Sequence, residues 1–182
     1  MLLNTPTVEP GKDAIEFMLF DPDGNAFRLA DVKGENGTLV AFICNHCPYV
    51  KAIADRLAED ARMLQADGIG VVAINANDYV RYPADSPARM REFAAQHQFP
   101  FPYLIDEDQS VAHAYGAVCT PDFFGLNAAG QLQYRGRLDS AGMGPAEDRT
   151  PELIEAMRQV ATTGSGPEAQ HASIGCSIKW RD

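Results

Sequence analysis

The chain has 182 residues, 46% hydrophobic and 22% charged, with a formal net charge of −10. That size and apolar fraction suit one globular domain over residues 1–182, with a core over about 15–162 and a C-terminal tail over 163–182. The acidity argues against nucleic acid or an anionic membrane as partner, and no apolar run approaches the roughly 20 residues of a membrane span.

Ile15 to Leu19 is a short strand candidate, and Asp23-Gly24-Asn25 turns the chain into a returning strand over Ala26 to Leu29. Leu39 to Ile43 is an unbroken apolar run and reads as a buried central strand. Val50, Ile53, Ala54, Leu57, Ala61 and Leu64 then recur at helical spacing, which predicts one helix from about Pro48 to Ala66. Ile69 to Ile74 is a second buried strand, followed by a polar loop over Asn75 to Asp85. Ser86-Pro87 opens a helix through about His97, with Met90, Phe93 and Ala94 on its apolar face. Phe101 to Ile105 is extended, and Ser110 to Tyr115 is a short helix ended by Gly116. Asp122 to Asn127, a turn at Ala129-Gly130 and the QLQYRGRL run form a hairpin. A last helix starts at Thr150-Pro151 and breaks at Gly164 to Pro167. Strands alternating with helices predict an α/β sandwich with a mixed sheet.

The informative motif is Cys44-Asn45-His46-Cys47-Pro48, between the central strand and the helix. An attacking thiolate forms a mixed disulfide with its substrate, and a second thiol must reach back to release it. Two intervening residues at a strand-to-helix corner bring both sulfurs to one helix end. A free thiol of pKa about 8.5 is only roughly 3% thiolate at pH 7, so the chemistry needs a lowered pKa. The expectation is that Cys44, near the helix N-terminus, is the attacking thiolate and Cys47 the resolving thiol. Asn45 and His46 are expected to tune the pair, His46 by placing a positive charge beside the sulfur.

These residues resemble the thioredoxin superfamily, and within it the redoxin branch of alkyl hydroperoxide reductase and thiol-specific antioxidant-like proteins. The resemblance covers roughly Ile15 to Val160. It rests on the C-x-x-C-P after a strand, the VVAIN strand, the FPYLIDEDQSVAHAYG segment, and Thr120-Pro121 before a hairpin. It implies a thioredoxin-like three-layer sandwich with a mixed central sheet, an N-terminal hairpin extension and a C-terminal tail. It also implies that Pro121 is a cis-proline beside the cysteine pair. The backbone of Thr120 would then pair with a bound peptide as an added strand. The implied activity is thiol-disulfide exchange with a disulfide-bearing protein or a small thiol, supplied by a reducing or oxidising partner dithiol. No cofactor and no metal are expected.

Three departures qualify the resemblance. The common aromatic-Cys-Gly-Pro-Cys centre becomes Ile43-Cys44-Asn45-His46-Cys47. Thr38 stands nearest the position of a buried acid that usually serves as proton acceptor. The threonine that peroxiredoxins place three residues before their reactive cysteine is missing: Ala41 precedes Cys44, and Cys44 precedes Cys47. Peroxide reduction is therefore the runner-up activity. A zinc site built from Cys44 and Cys47 with His46, Cys119 or Cys176, or a non-catalytic role, ranks lower. Cys119 and Cys176 are candidate additional redox thiols. Ile174, Ile178 and Trp180 are too apolar for a free tail and predict that it docks, with Trp180 substantially buried. Arg135 and Arg137 offer a weak analogy to a peroxide site, and His97, His113 and His171 read as surface residues. The cysteine usage, together with the lack of a basic-then-apolar leader, sets a cytoplasmic location as the expectation.

Overall fold

The computed structural model describes residues 1–6 and 9–182. Its main sheet has seven strands in the order β3-β2-β6-β5-β4-β8-β9. These are β2 (Met18–Phe20), β3 (Ala26–Arg28), β4 (Gly37–Phe42), β5 (Ile69–Asn75), β6 (Tyr103–Ile105), β8 (Asp122–Leu126) and β9 (Leu132–Gly136). β4, β5 and β6 run parallel, and the other pairings are antiparallel, so the sheet is mixed. A second sheet of three short strands has the order β1 (Leu2–Asn4), β10 (Ile174–Ser177), β7 (Cys119–Thr120).

Alternation along the central strands builds two apolar layers. Leu39, Ala41, Val71, Ala73 and Phe123 face one side, where they pack with Leu57, Ala61 and Leu64 of α3 (Ala54–Ala66) and Leu153 and Met157 of α6 (Glu152–Thr163). Val40, Phe42, Val72, Ile74 and Phe124 face the other, against Leu29 of α1 (Leu29–Val32) and Val111, Ala112 and Tyr115 of α5 (Ser110–Tyr115). This is the expected thioredoxin-like three-layer sandwich, with the β2–β3 hairpin as its N-terminal extension. Among the described residues, no helix is long and apolar enough to cross a membrane.

Four local readings change. The single helix over Pro48 to Ala66 is two: α2 (Pro48–Lys51), then a break at Ala52 and Ile53, then α3. Ile53 N–H bonds Val50 rather than the residue four back, and the Arg56 guanidinium donates to the Ala52 carbonyl at 3.1 Å. The strand expected over Ile15 to Leu19 is β2 and begins at Met18. Cys119-Thr120, read only as the approach to a hairpin, is itself a strand because the tail pairs with it. In the tail, Ile178 is buried at 3% exposure, but Ile174 is 44% exposed and Trp180 is half-buried, stacked on His113 at 4.1 Å.

The tail is held by backbone as much as by apolar contact. Ile178 N–H donates to Val118, Ser177 N–H to Met1, and the Lys179 carbonyl accepts from Asp78 N–H. Burying a side chain such as Ile178 contributes roughly 1.5–3 kcal/mol. Deletion of residues 168–182 is therefore expected to lower Tm by about 5 °C or more in a thermal melt; an unchanged Tm would mean that the tail is dispensable to the fold.

Candidate active site

β4 delivers the cysteine pair. Its ladder continues one residue past Phe42, where Ile43 N–H donates to Ile74 at 3.0 Å, and the chain then leaves the sheet at Cys44. Cys47 is the N-cap of α2 and Pro48 its first residue, where a missing N–H costs nothing. The Thr120–Pro121 peptide is cis, and it sets Thr120 over both sulfurs. Cys44 Sγ lies 3.3 Å from Thr120 Oγ1, and Cys47 Sγ lies 3.4 Å from the Thr120 carbonyl oxygen. Both cysteines are buried, at 1% and 0% exposure.

The helix-end argument therefore belongs to Cys47, not to Cys44, which sits three residues outside the helix. Donors converge on Cys47: the Cys44 S–H first, then the Cys176 thiol and N–H and the Val50 N–H, and they hold its pKa far below the usual thiol range against the opposing effect of burial. Cys44 is raised, by that same bond to Cys47, by burial and by the charge of Asp85. The two thiols interact, so their acidities belong to the pair rather than to either residue alone.

Behind Cys44 lies a polar centre that the sequence reading passed over. Asp85 ends the short 3₁₀ turn Pro83–Asp85, ahead of α4 (Pro87–Gln96), and its side chain is fully buried. It accepts from Asn45 N–H at 2.7 Å, Asn75 Nδ2 at 3.2 Å and Asn77 Nδ2 at 2.9 Å, and it pairs with His46 Nδ1 at 2.5 Å. Burial pushes the Asp85 carboxyl up, but these bonds outweigh it and leave its pKa below the usual carboxylate value. The bond to Asp85 raises His46 above its ordinary value. His46 therefore does not present a free positive charge to the sulfur; it neutralises the acid beside Cys44. Asn45 is a staple: its amide donates to the Ala84 carbonyl at 3.1 Å and its carbonyl accepts from Tyr103 Oη at 2.8 Å. Thr38, the expected stand-in for a buried acid, lies at the far end of β4, where its Oγ1 accepts from Gly34 N–H at 3.3 Å. Asn75 and Asn77, polar residues at the end of a buried strand, mark this centre in the sequence, but nothing local marks Asp85.

Donor atoms of Cys44, His46 and Asp85 lie within 4.8 Å of one another. The Asp85 carboxylate already takes four contacts, so it has little left to offer a metal ion. Cys176 joins the pair from β10. Cys119 does not: it is fully buried, its thiol points to the Pro121 carbonyl at 4.0 Å, and burial pushes its pKa up to about 12. Arg135 is bound to Asp122 at 2.8 Å and Arg137 to Glu152 at 2.7 Å, so neither is free to polarise a peroxide. His97 is also less exposed than expected: it lies in the aromatic cluster of Phe93 and Phe99 and pairs with Asp55.

Comparison with known proteins places the chain among redoxins. The model of the AhpC/TSA family matches residues 10–135. A thiol-disulfide oxidoreductase, ResA, of Bacillus subtilis (strain 168) is 26% identical over 126 residues, 69% of this chain and 66% of the relative, a little under two thirds of its length. A Mycobacterium tuberculosis (H37Rv) protein, Rv2521, whose name assigns it provisionally to the peroxiredoxins, is 26% identical over 163 residues, 90% of this chain and 93% of its own. The crystal structure of an uncharacterised conserved protein from Geobacillus kaustophilus superposes with a TM-score of 0.92 at 43% identity, covering 100% of this chain and 97% of that one.

The His46–Asp85 pair has a defined pH window. A raised histidine contributes stability that is full below its unfolded pKa of about 6.5 and is lost as pH rises through the folded value. A depressed aspartate contributes stability that is full above about 3.8 and is lost as pH falls through its folded value. The destabilisation caused by Asp85→Asn should therefore be greatest between about pH 4 and 6.5. An NMR titration should show the His46 ring above pH 6.5 in the native chain and shifted down in the variant; an unmoved midpoint would dissolve the pairing.

Proposed function

Because the chain belongs to the AhpC/TSA family, we propose that it is a thiol-disulfide oxidoreductase working through a Cys44–Cys47 dithiol/disulfide. The observation that carries this reading is the geometry of the pair: two buried cysteine sulfurs held against one residue, Cys44 at 3.3 Å from the Thr120 hydroxyl and Cys47 at 3.4 Å from the Thr120 carbonyl. The relatives named for disulfide exchange support it.

Cys44 is the attacking sulfur on grounds of access. Its neighbour His46 keeps 28% of its side chain on solvent, whereas Cys47 is roofed by Cys176. As Cys44 attacks a substrate disulfide, its proton passes along the existing bond to the Cys47 thiolate, and one substrate sulfur leaves as a thiolate. That thiolate recovers the proton from Cys47. Cys47 then attacks Cys44, closes the Cys44–Cys47 disulfide and expels the second substrate sulfur. The substrate gains two electrons and the pair loses two. Thr120 covers the pair, while Asn45 and His46 hold Asp85 in place. The substrate class is a disulfide in a protein or a small thiol, and a dithiol partner restores the reduced state. A reducing compartment, the cytoplasm, suits free thiols and completes the proposal.

Cys44→Ser should abolish turnover of a model disulfide, whereas Cys47→Ser should trap mixed disulfides detectable by mass spectrometry. Near-full activity of Cys44→Ser overturns the assignment of roles.

Peroxide reduction needs a polarising cation at the sulfur. A hydroxyl is present after all, from Thr120, but both candidate arginines are held by carboxylates. Stopped-flow oxidation by hydrogen peroxide should therefore proceed at the rate of a simple thiol. Saturation at micromolar peroxide would instead make peroxide the substrate.

A further inference from the structure

The Thr120 edge, where an incoming peptide would add as a strand, is occupied by the chain's own tail. β10 pairs antiparallel with β7, placing Cys176 opposite Thr120 and Ser177 opposite Cys119. On its other side β10 pairs with β1, where Leu2 lies opposite Cys176. Gly175 makes the approach close enough: a Cβ there would lie 1.9 Å from the Thr120 carbonyl oxygen. Ser173 Oγ donates to the Pro121 carbonyl at 2.5 Å and pins the start of the strand. The seat of a substrate strand thus holds a cysteine. Cys176 packs against the core cluster that contains Cys44 and Cys47, and α2 packs on β10. Cys176 keeps part of its surface on solvent, which Cys44 and Cys47 do not.

We propose that Cys176 is a third redox thiol, a relay that carries oxidising equivalents from the buried Cys44–Cys47 disulfide to a dithiol partner at the surface. This rests on the oxidoreductase reading above. The Cys176 thiolate attacks Cys47 Sγ in the disulfide; the Cys47–Cys176 bond forms, the Cys44–Cys47 bond breaks, and Cys44 leaves with the electron pair and takes the proton that Cys176 lost. No net electrons move in this step. A thiol of the external dithiol then attacks Cys176 Sγ, and Cys47 leaves as the thiolate. The second external thiol attacks the resulting mixed disulfide, releases Cys176 as a thiol and departs as the oxidised partner. The partner loses two electrons and the chain gains two.

The geometry explains why the tail can stay docked through the cycle. Substrate reaches Cys44 past His46, and the reductant reaches Cys176 from the other side. Cys176 lies opposite Thr120, whose hydroxyl and carbonyl lie against Cys44 and Cys47, so the three sulfurs share one site.

Two experiments on the full chain test the relay. Cys44→Ser, oxidised with one equivalent of diamide, alkylated and peptide-mapped, should contain a Cys47–Cys176 disulfide; both cysteines alkylated would overturn the proposal. Wild type and Cys176→Ser, each first oxidised to the Cys44–Cys47 disulfide, should then differ in their reduction by dithiothreitol, with the variant at least tenfold slower. Equal rates overturn the relay and leave the oxidoreductase reading standing. A wild-type chain that forms no Cys44–Cys47 disulfide at all overturns both.

Discussion

The pairing of the tail with Thr120 is the constraint on which the site depends. Thr120 lies at the end of a short strand, and without β10 its main chain would be an open edge beside two reactive sulfurs. The tail supplies the missing strand, and Gly175 lets the two backbones meet where any side chain would collide. One contact thereby has three effects. It satisfies the edge, it removes the cysteine pair from water, and it delivers a third cysteine. Burial then governs the chemistry of all three. It opposes charge at every sulfur, so a thiolate survives where donors are concentrated, at Cys47, and is disfavoured elsewhere.

The second buried charge follows the same rule. A carboxylate taken fully out of water is strongly unfavourable unless its oxygens are bonded. Asp85 meets that demand with three amide donors and a histidine. Two of these partners, Asn45 and His46, are the residues between the cysteines. The spacer is therefore not a spacer chosen for helix geometry alone. It anchors the pair to the loop after β5, through an acid whose charge is balanced on the spot. Net repulsion on a thiolate at Cys44 is reduced because His46 carries the compensating charge.

Much of this was legible in the chain itself. The apolar runs Leu39 to Ile43 and Ile69 to Ile74 predicted buried strands, and periodicity from Val50 to Leu64 predicted the helix over them. The cysteine motif located the site because its spacing has a chemical purpose. What escaped was set by contacts across the sequence. Asp85 is 40 residues from the Asn45 N–H it accepts, and no local pattern marks an aspartate as a partner of a distant turn. Ile174 reads as apolar and inward, yet it starts β10 ahead of the pairing with β7, which begins at Cys176, and stays 44% exposed. The break at Ala52 and Ile53 carries no proline or glycine. It becomes visible only once Arg56 is seen to cap the freed carbonyl. The acidity that local spacing assigns to Cys44 shifts to Cys47 for a similar reason: the Cys44 thiol and the distant Cys176 lower it most, and the Val50 N–H at the helix end adds least.

The acidities along the row of sulfurs give it a direction. In thiol-disulfide exchange, the sulfur of lower pKa is the better leaving group. An outside thiol that meets a Cys47–Cys176 disulfide can strike either atom, and it expels the one it does not strike. Cys47 is the sulfur that leaves readily, since the Cys44 thiol above all, and the Val50 N–H less, stabilise its thiolate. Cys176 is the poor leaving group, pushed up to about 11 by burial and by its bond to Cys47. Attack therefore goes to Cys176, which is also the half-exposed atom. Access and leaving-group preference select the same sulfur, so the partner's bond forms at the surface and the charge returns inward to Cys47. The same asymmetry keeps Cys176 protonated near neutral pH while it waits, quiet toward stray oxidants. It becomes an effective nucleophile only toward the disulfide it already touches, where proximity offsets its small thiolate fraction.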